Sequence, residues 1–439
     1  MNIAVVGGGA SGMMAALAAA EKGADVTLLE RNEILGKKLR QTGNGRGNLS
    51  NEAMGAQYYH AQDGARIRRW LEEFGTEDTV AFFGGIGVLV HGRDGYLYPR
   101  SDRAEDLAEC MRLALGDRGV RIRTGALVKS LWPGTEGSVQ GTPAEKKPES
   151  GKEPGTGWTI RFTEDGQTIE ASFDRVILAC GGMAAPKTGS DGKGYYMLRQ
   201  LGARITEPLP ALCALKTAEE AAEAAGVRAL GTVRIYAKEA GAQGAPLPIG
   251  KATGELQLVK GAISGIPVFQ VSGEAIRLLN KGEQVTAELD FLPGMPRQAW
   301  EEALRQRCRP GRTLLQLFTG AVNGRLATEL LKEQGLAADR SAEEVLRESP
   351  EKLFMAWLSV KGWKREVIGS SDFSAAQTST GGVPLSDVTD SFEMIHFPGL
   401  YVTGEMLDVD GLCGGYNLQM AWTSGYLAGR AAAGEVSEL

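Results

Sequence analysis

The chain has 439 residues, 43 % of them hydrophobic and 23 % charged, the balance of a folding chain rather than a disordered one. Its 48 Lys and Arg against 54 Asp and Glu leave a net charge of −6, which argues against the basic face of a sequence-independent nucleic-acid binder. No apolar run approaches the ~20 residues of a membrane-spanning helix, and 60 glycines with no G-X-Y period point to backbone that turns tightly or approaches something closely.

Residues 2–6 (NIAVV) read as a buried parallel strand, 10–22 as an Ala-, Met- and Leu-rich helix and 25–29 (DVTLL) as a second strand, so the chain opens on a βαβ unit. A polar, glycine-rich loop follows at 36–48, then helices at 64–84 and 102–117. Residues 120–130 and 158–163 alternate like antiparallel strands. The stretch between them, 132–157, is rich in Pro, Gly, Glu, Lys and Ser and reads as a solvated, disordered hairpin insertion. A strand at 168–173 leads into RVILACGG, a buried strand closing on glycines that include Gly181. From 193 to 290 the pattern is of short β-like runs (VRIYAK, ELQLV, PVFQV, VTAELDFL), and 297–358 is helical. After 370 the glycine motifs return, up to a final helix at 417–434. At ~150 residues per domain the length suggests two or three domains. This order predicts an α/β domain of residues 1–192 plus 370–439, a β-rich substrate domain of 193–290 plus 355–369, and a helical insert at 291–354.

Five cysteines (Cys110, Cys180, Cys213, Cys308, Cys413) form no CxxC pair, and His60, His91 and His396 lie far apart in sequence. No metal site is expected, and reduced thiols in a cytoplasmic protein fit better than a disulfide framework. No positively charged run precedes the apolar start, so no secretory leader is expected.

The strongest local signal is Gly7-x-Gly9-x-x-Gly12 between the first strand and helix. Gly7 permits the tight turn, Gly9 lets a pyrophosphate approach the backbone, and Gly12 allows close helix–strand packing. Glu30, at the end of the second strand, is placed to accept hydrogen bonds from ribose hydroxyls. The loop GKKLRQTGNGRGN adds Lys37, Lys38, Arg40 and Arg46 among glycines that include Gly43 and Gly45, and ends at Asn48. A plain NAD domain does not need such a loop; a longer cofactor does. Far downstream, LYVTGEMLDVDGLCGGYNLQMAWTSG places Gly404 and Glu405 at a strand end, with Asp410, Gly414 and Gly415 before a second helix start. That helix end would suit the electron-rich edge of a flavin, and Glu405 its ribityl hydroxyls. One ligand gripped at both chain ends is long, so FAD is preferred over NAD.

These blocks, VVGGGASGMMAA, GKKLRQTGNGRGNLSN, GGVPLSDV and the GE-LDVDG-GGYN-Q segment, resemble the bacterial YhiN-like family of FAD oxidoreductases, described as aminoacetone oxidases and as 3-dehydro-bile-acid Δ4,6-reductases. The resemblance implies a discontinuous Rossmann-like FAD-binding domain with an inserted β-barrel-like domain and a small helical domain. It maps Ala10, Ser11, Glu30, Arg31, Lys38, Asn44, Arg46, Val128, Glu405, Asn417 and Leu418 onto positions that contact non-covalent FAD. Gly47 departs from the family, which commonly has Cys there. Candidate substrate groups are Tyr98, as proton donor, and Arg100, as a carbonyl or carboxylate binder. Tyr96 and Asp102, or the QTSTGGV turn, lie in the same segments, although strand packing and a surface ion pair also explain YLYPRSD. The favoured reaction is NAD(P)H-driven reduction of an activated C=C bond in a small, steroid-like enone, with NAD(P)H a transient electron donor. An amine oxidase that makes peroxide, and a flavin-binding regulatory protein without turnover, stand as alternatives. No nucleic-acid or membrane partner is expected.

Overall fold

The computed structural model describes residues 1–134, 157–237 and 247–434, which divide into one unit of Met1–Pro208 with Thr378–Leu439 and another of Leu209–Gln377. Most of the 132–157 insertion, like residues 238–246 and 435–439, lies outside the described residues.

The first unit is built on a five-stranded parallel sheet in the order Leu400–Val402, Arg175–Leu178, Asn2–Val6, Asp25–Leu29, Arg121–Arg123. The central strands are apolar on both faces and buried on both, and Ile3, Ala4, Val5, Leu28 and Ile177 are fully buried. Helix Ala10–Glu21 is buried almost all round, which is why its sequence carries small Ala and Gly rather than a single apolar stripe. On one side it packs against the C-terminal helix Tyr416–Ala432 at backbone contact distance: a Cβ on Gly425 would lie 2.4 Å from Ser11 O, and one on Gly429 would lie 2.4 Å from Ala15 O.

Two three-stranded antiparallel sheets belong to this unit, beside the short pairing of Asp410–Gly411 with Tyr59–His60. One joins Leu127–Pro133, Trp158–Glu164 and Gln167–Phe173, and the other joins Ser50–Asn51, Tyr96–Pro99 and Val90–Arg93. The second turns through Asp94 and Gly95, both at positive φ, as a two-residue hairpin requires. Residues 120–130, expected as one antiparallel strand, are two strands in different sheets. Gly125, at φ +69°, bends the chain from the parallel edge strand Arg121–Arg123 into Leu127–Pro133.

The second unit is a closed antiparallel barrel of six strands, in the order Leu215–Thr217, Ala262–Ser264, Gly250–Val259, Arg228–Ala237, Val285–Asp290, Trp363–Ser370, the last pairing back to the first. PVFQV, expected as a strand, opens the helix Ile266–Asn280 instead. Pro267 occupies its first turn, where a missing N–H costs nothing, and burial on several sides produces the apolar run that mimics a strand. Helices Arg297–Arg307, Leu314–Phe318, Gly324–Glu333, Ala342–Glu348 and Pro350–Ser359 follow. Trp300 and Trp357 stack at 3.8 Å, and each indole N–H donates to the other's backbone carbonyl.

The glycine seam predicts a specific cost. Gly425→Val forces a branched side chain against the Ser11 carbonyl and lowers stability by about 3 kcal/mol, read as a shift of the denaturant midpoint at unchanged slope. A midpoint within error of the parent protein would contradict the seam.

Candidate functional site

The first strand hands over to the first helix through the glycine turn. Gly7 sits at φ +108°, and a Cβ on it would lie 2.4 Å from Ala179 O, so only glycine fits. A Cβ on Gly12 would strike Gly7 O at 1.9 Å, whereas one on Gly9 would meet nothing within 4 Å. The backbone of Gly9 is therefore open on the side where a ligand would approach. Gly9 is also the N-cap of the helix, with no side chain capping it, and Ala10 and Ser11 form its first turn.

Glu30 is 7 % exposed and faces this turn: Oε2 accepts from Gly8 N at 2.7 Å, and Oε1 accepts from Asn32 N at 2.7 Å and Asn32 Nδ2 at 2.6 Å. A carboxylate has about four acceptor positions, so one remains for a ligand hydroxyl. Arg31 pairs with Asp191 at 2.5 Å, and the Lys37 ammonium lies 3.4 Å from Asn32 Oδ1. Ala126 N donates to Glu30 O and Gly125 N to Asn32 O, which brings the strand carrying the buried Val128 beside the acid. Gly181, at φ +73°, makes a tight turn against Ser190. Asn32 and Asp191 escaped the sequence reading because their role is to hold Glu30 and Arg31.

The basic loop is tied to the same turn, since Gly36 N donates to Gly8 O at 2.8 Å. Lys38 Nζ lies 2.5 Å from Glu405 Oε2. Glu405 Oε1 accepts from Ser379 N at 2.9 Å, Thr378 Oγ1 at 3.0 Å and Ser379 Oγ at 3.3 Å. These donors engage the carboxylate, and Glu405 fixes Lys38. Gly43, Asn44 and Gly45 are three successive left-handed residues, and Asn44, Gly45 and Arg46 are exposed. With its amide turned to satisfy its neighbours, Asn48 accepts from Gly415 N at 3.1 Å and so joins this loop to the last helix.

Gly415, at φ +93°, is the N-cap of the C-terminal helix, again with no capping side chain. Asn417 closes the preceding turn, its amide bonded both ways to Gly411. Leu418 packs on the core. Asp410 lies on a two-residue strand against His60, with its Oδ1 3.6 Å from His60 Nδ1. Gly404, at φ +65°, presses on Ser11, and its N–H donates to Ser424 Oγ. Because Ser11 faces Gly425 and Ala15 faces Gly429, the first and last helices run parallel. Their uncapped N-termini point the same way, offset by eight residues of helix (Gly9 level with residue 423, against Gly415), or about 12 Å.

Tyr96 and Tyr98 share one face of the three-stranded sheet, with Leu97 and Pro99 buried on the other. The Tyr96 ring lies against Gly414, and Asn51 Nδ2 donates to Gly414 O at 2.9 Å, so this face adjoins the start of the last helix. Burial and the neighbouring Tyr96 raise the Tyr98 phenol, against the opposing pull of Arg46 and Arg93. Arg100 is exposed and is not the partner of Asp102, which pairs with Arg93 and His91. Burial pushes the thiols of Cys180 and Cys413 up to about 12, away from the range of a reactive thiolate. Among the described residues no cluster of ligating side chains could hold a metal ion, and no helix is long and apolar enough to cross a membrane.

Residues 1–431 match the family described as the HI0933-like protein Rossmann domain. The chain is 40 % identical over 98 % of its length, and 99 % of the relative's, to a 3-dehydro-bile acid delta(4,6)-reductase of Clostridium scindens. It is 23 % identical, over 96 % of both chains, to a ribosomal RNA dihydrouridine synthase of Haemophilus influenzae. Among solved structures, the 3-ketosteroid delta1-dehydrogenase of Sterolibacterium denitrificans shares the fold, with a TM-score of 0.50 at 13 % identity over 98 % of this chain and 99 % of that one. The chain belongs to the HI0933-like Rossmann-domain family, and it is an oxidoreductase.

Proposed function

We propose that the chain is an FAD-dependent reductase that saturates a C=C bond conjugated to a carbonyl in a small, steroid-like ketone, with NAD(P)H as transient hydride donor. The observation that carries this reading is the pair of parallel, uncapped helix N-termini about 12 Å apart along one seam. They suit a single ligand with two separated electron-rich groups, a diphosphate at Gly9 and a flavin edge at Gly415. Non-covalent FAD fits the residues present: Gly9 is open, Glu30 keeps an acceptor, and the Gly43–Arg46 loop is exposed beside them. Ala10, Ser11, Arg31, Lys38, Val128 and Asn48 complete the proposed cofactor site, and Lys38 is oriented there by Glu405.

When bound, the flavin supplies hydride transfer at its N5 position. The protein's part is to place the substrate and deliver a proton. Tyr98 is the proposed acid: its phenol carries its proton at neutral pH, and its hydroxyl has no hydrogen-bond partner among the described residues. Arg100, exposed two residues along, is the proposed group for a substrate carbonyl or carboxylate. The names of both kinds of relative describe saturation of a C=C bond conjugated to a carbonyl, at Δ4,6 of a bile acid or in the uracil ring. The net charge of −6 weighs against an RNA substrate.

Two outcomes test this reading. Purified protein carries about one FAD per chain, and Glu30→Ala weakens FAD binding at least about tenfold in a fluorescence titration; undiminished affinity would remove Glu30 from the site. Tyr98→Phe slows enone reduction roughly 100-fold while leaving the rate of flavin reduction by NAD(P)H unchanged. Equal loss in both half-reactions would show that Tyr98 is not the acid.

A further inference from the structure

The sheet face that carries Tyr98 holds a second, more ordered feature. Strand Val90–Arg93 runs antiparallel to Tyr96–Pro99, with His91 directly opposite Tyr98 and Arg93 opposite Tyr96. The Arg93 guanidinium lies 5.6 Å from the centre of the Tyr98 ring, and the rings of His91 and Tyr98 are 6.1 Å apart. Both basic groups are held by one carboxylate. Asp102 Oδ2 accepts from Arg93 Nη2 at 2.7 Å, and Asp102 Oδ1 lies 3.1 Å from His91 Nε2.

Asp102 itself has φ +53°, a left-handed conformation that a non-glycine residue adopts only at a cost. Two bonds to the neighbouring strand over-determine it. The result is a two-point clamp that holds the Arg93 guanidinium over the Tyr98 ring. The other charged or titratable groups around Tyr98 are Arg46, from the glycine loop, Tyr96 on its own strand, and Asp102 itself, whose carboxylate raises the phenol against the pull of Arg93, while Glu52 lies over Gly92.

We infer that Arg93, locked by Asp102 and His91, is a positioning residue: a fixed positive charge over the Tyr98 ring that stabilises the phenolate left when Tyr98 gives up its proton. This rests on the reading of Tyr98 as the acid. In that step the β-carbon of the enone already carries the hydride that FAD would supply when bound. The Tyr98 O–H bond then breaks, its proton goes to the α-carbon and its electron pair stays on the phenolic oxygen. Water returns a proton to Tyr98 before the next turnover. A charge that is already oriented needs no reorganisation as the phenolate forms, which is how fixed charges lower a barrier. A purely structural clamp, closing the hairpin onto the helix Ala104–Asp117, would leave Tyr98 chemistry untouched.

The test uses the FAD-loaded protein with carbon-13-labelled tyrosine, the Tyr98 signal being assigned by its loss in Tyr98→Phe. The Arg93 side chain is 42 % exposed, so Arg93→Gln leaves the fold intact. In Arg93→Gln the Tyr98 titration moves up by about one pH unit. The alkaline limb of the kcat profile moves with it, because activity that needs the protonated phenol is lost only as pH rises through its pKa. The kcat falls about tenfold with little change in KM, and Arg93→Lys restores most of the rate. A Tyr98 titration that does not move in Arg93→Gln would overturn this inference alone. Full enone reduction by Tyr98→Phe would overturn the reading on which it rests, and this inference with it.

Discussion

The contact on which the first unit depends is the backbone-to-backbone packing of its first and last helices. Where Gly425 meets Ser11 and Gly429 meets Ala15, no side chain separates the two helices, so the two ends of a 439-residue chain are brought together by geometry alone. The consequence is electrostatic. Parallel helices packed this closely aim their N-terminal N–H groups in one direction, and with no capping side chains those donors are left for something else. Gly7 and Gly12 do the same for the first strand and helix, and Gly404 keeps the strand end of Glu405 against Ser11.

Around this frame, acids do more than meet ligands. Glu30 spends three acceptor positions on Gly8 and Asn32, and so couples the glycine turn to the end of the second strand. Glu405 gathers Lys38, Thr378 and Ser379, residues from two distant parts of the sequence. Asp102 gathers His91 and Arg93. In each case a buried or half-buried carboxylate is satisfied by several donors, which orders the groups around it.

Much of this was legible in the sequence because the relevant signals are local. The βαβ opening, the glycine turn, the acid at the second strand end and the final helix each follow from spacing within about 30 residues, the span of a βαβ unit. The Gly425–Gly429 pair, four residues apart in an Ala-rich helix, is also a readable sign of close helix packing. What local pattern does not encode is pairing over long separations. Lys38 with Glu405, Asn48 with Gly415 and Asp191 with Arg31 could not be derived from spacing. The misreadings have the same origin. PVFQV is apolar because its helix is buried on several sides, and residues 120–130 alternate throughout although Gly125 sends them into two sheets.

The central claim is that the site passes hydride to an activated C=C bond. Anaerobic stopped-flow mixing measures it directly: bound flavin is first reduced by NADH or NADPH, then mixed either with a 4-ene-3-keto steroid or with air-saturated buffer. The account predicts rapid reoxidation by the enone, with one equivalent of saturated product, and much slower reoxidation by oxygen. Flavin that is reduced by amines, and that returns its electrons to oxygen as peroxide while ignoring the enone, would contradict it.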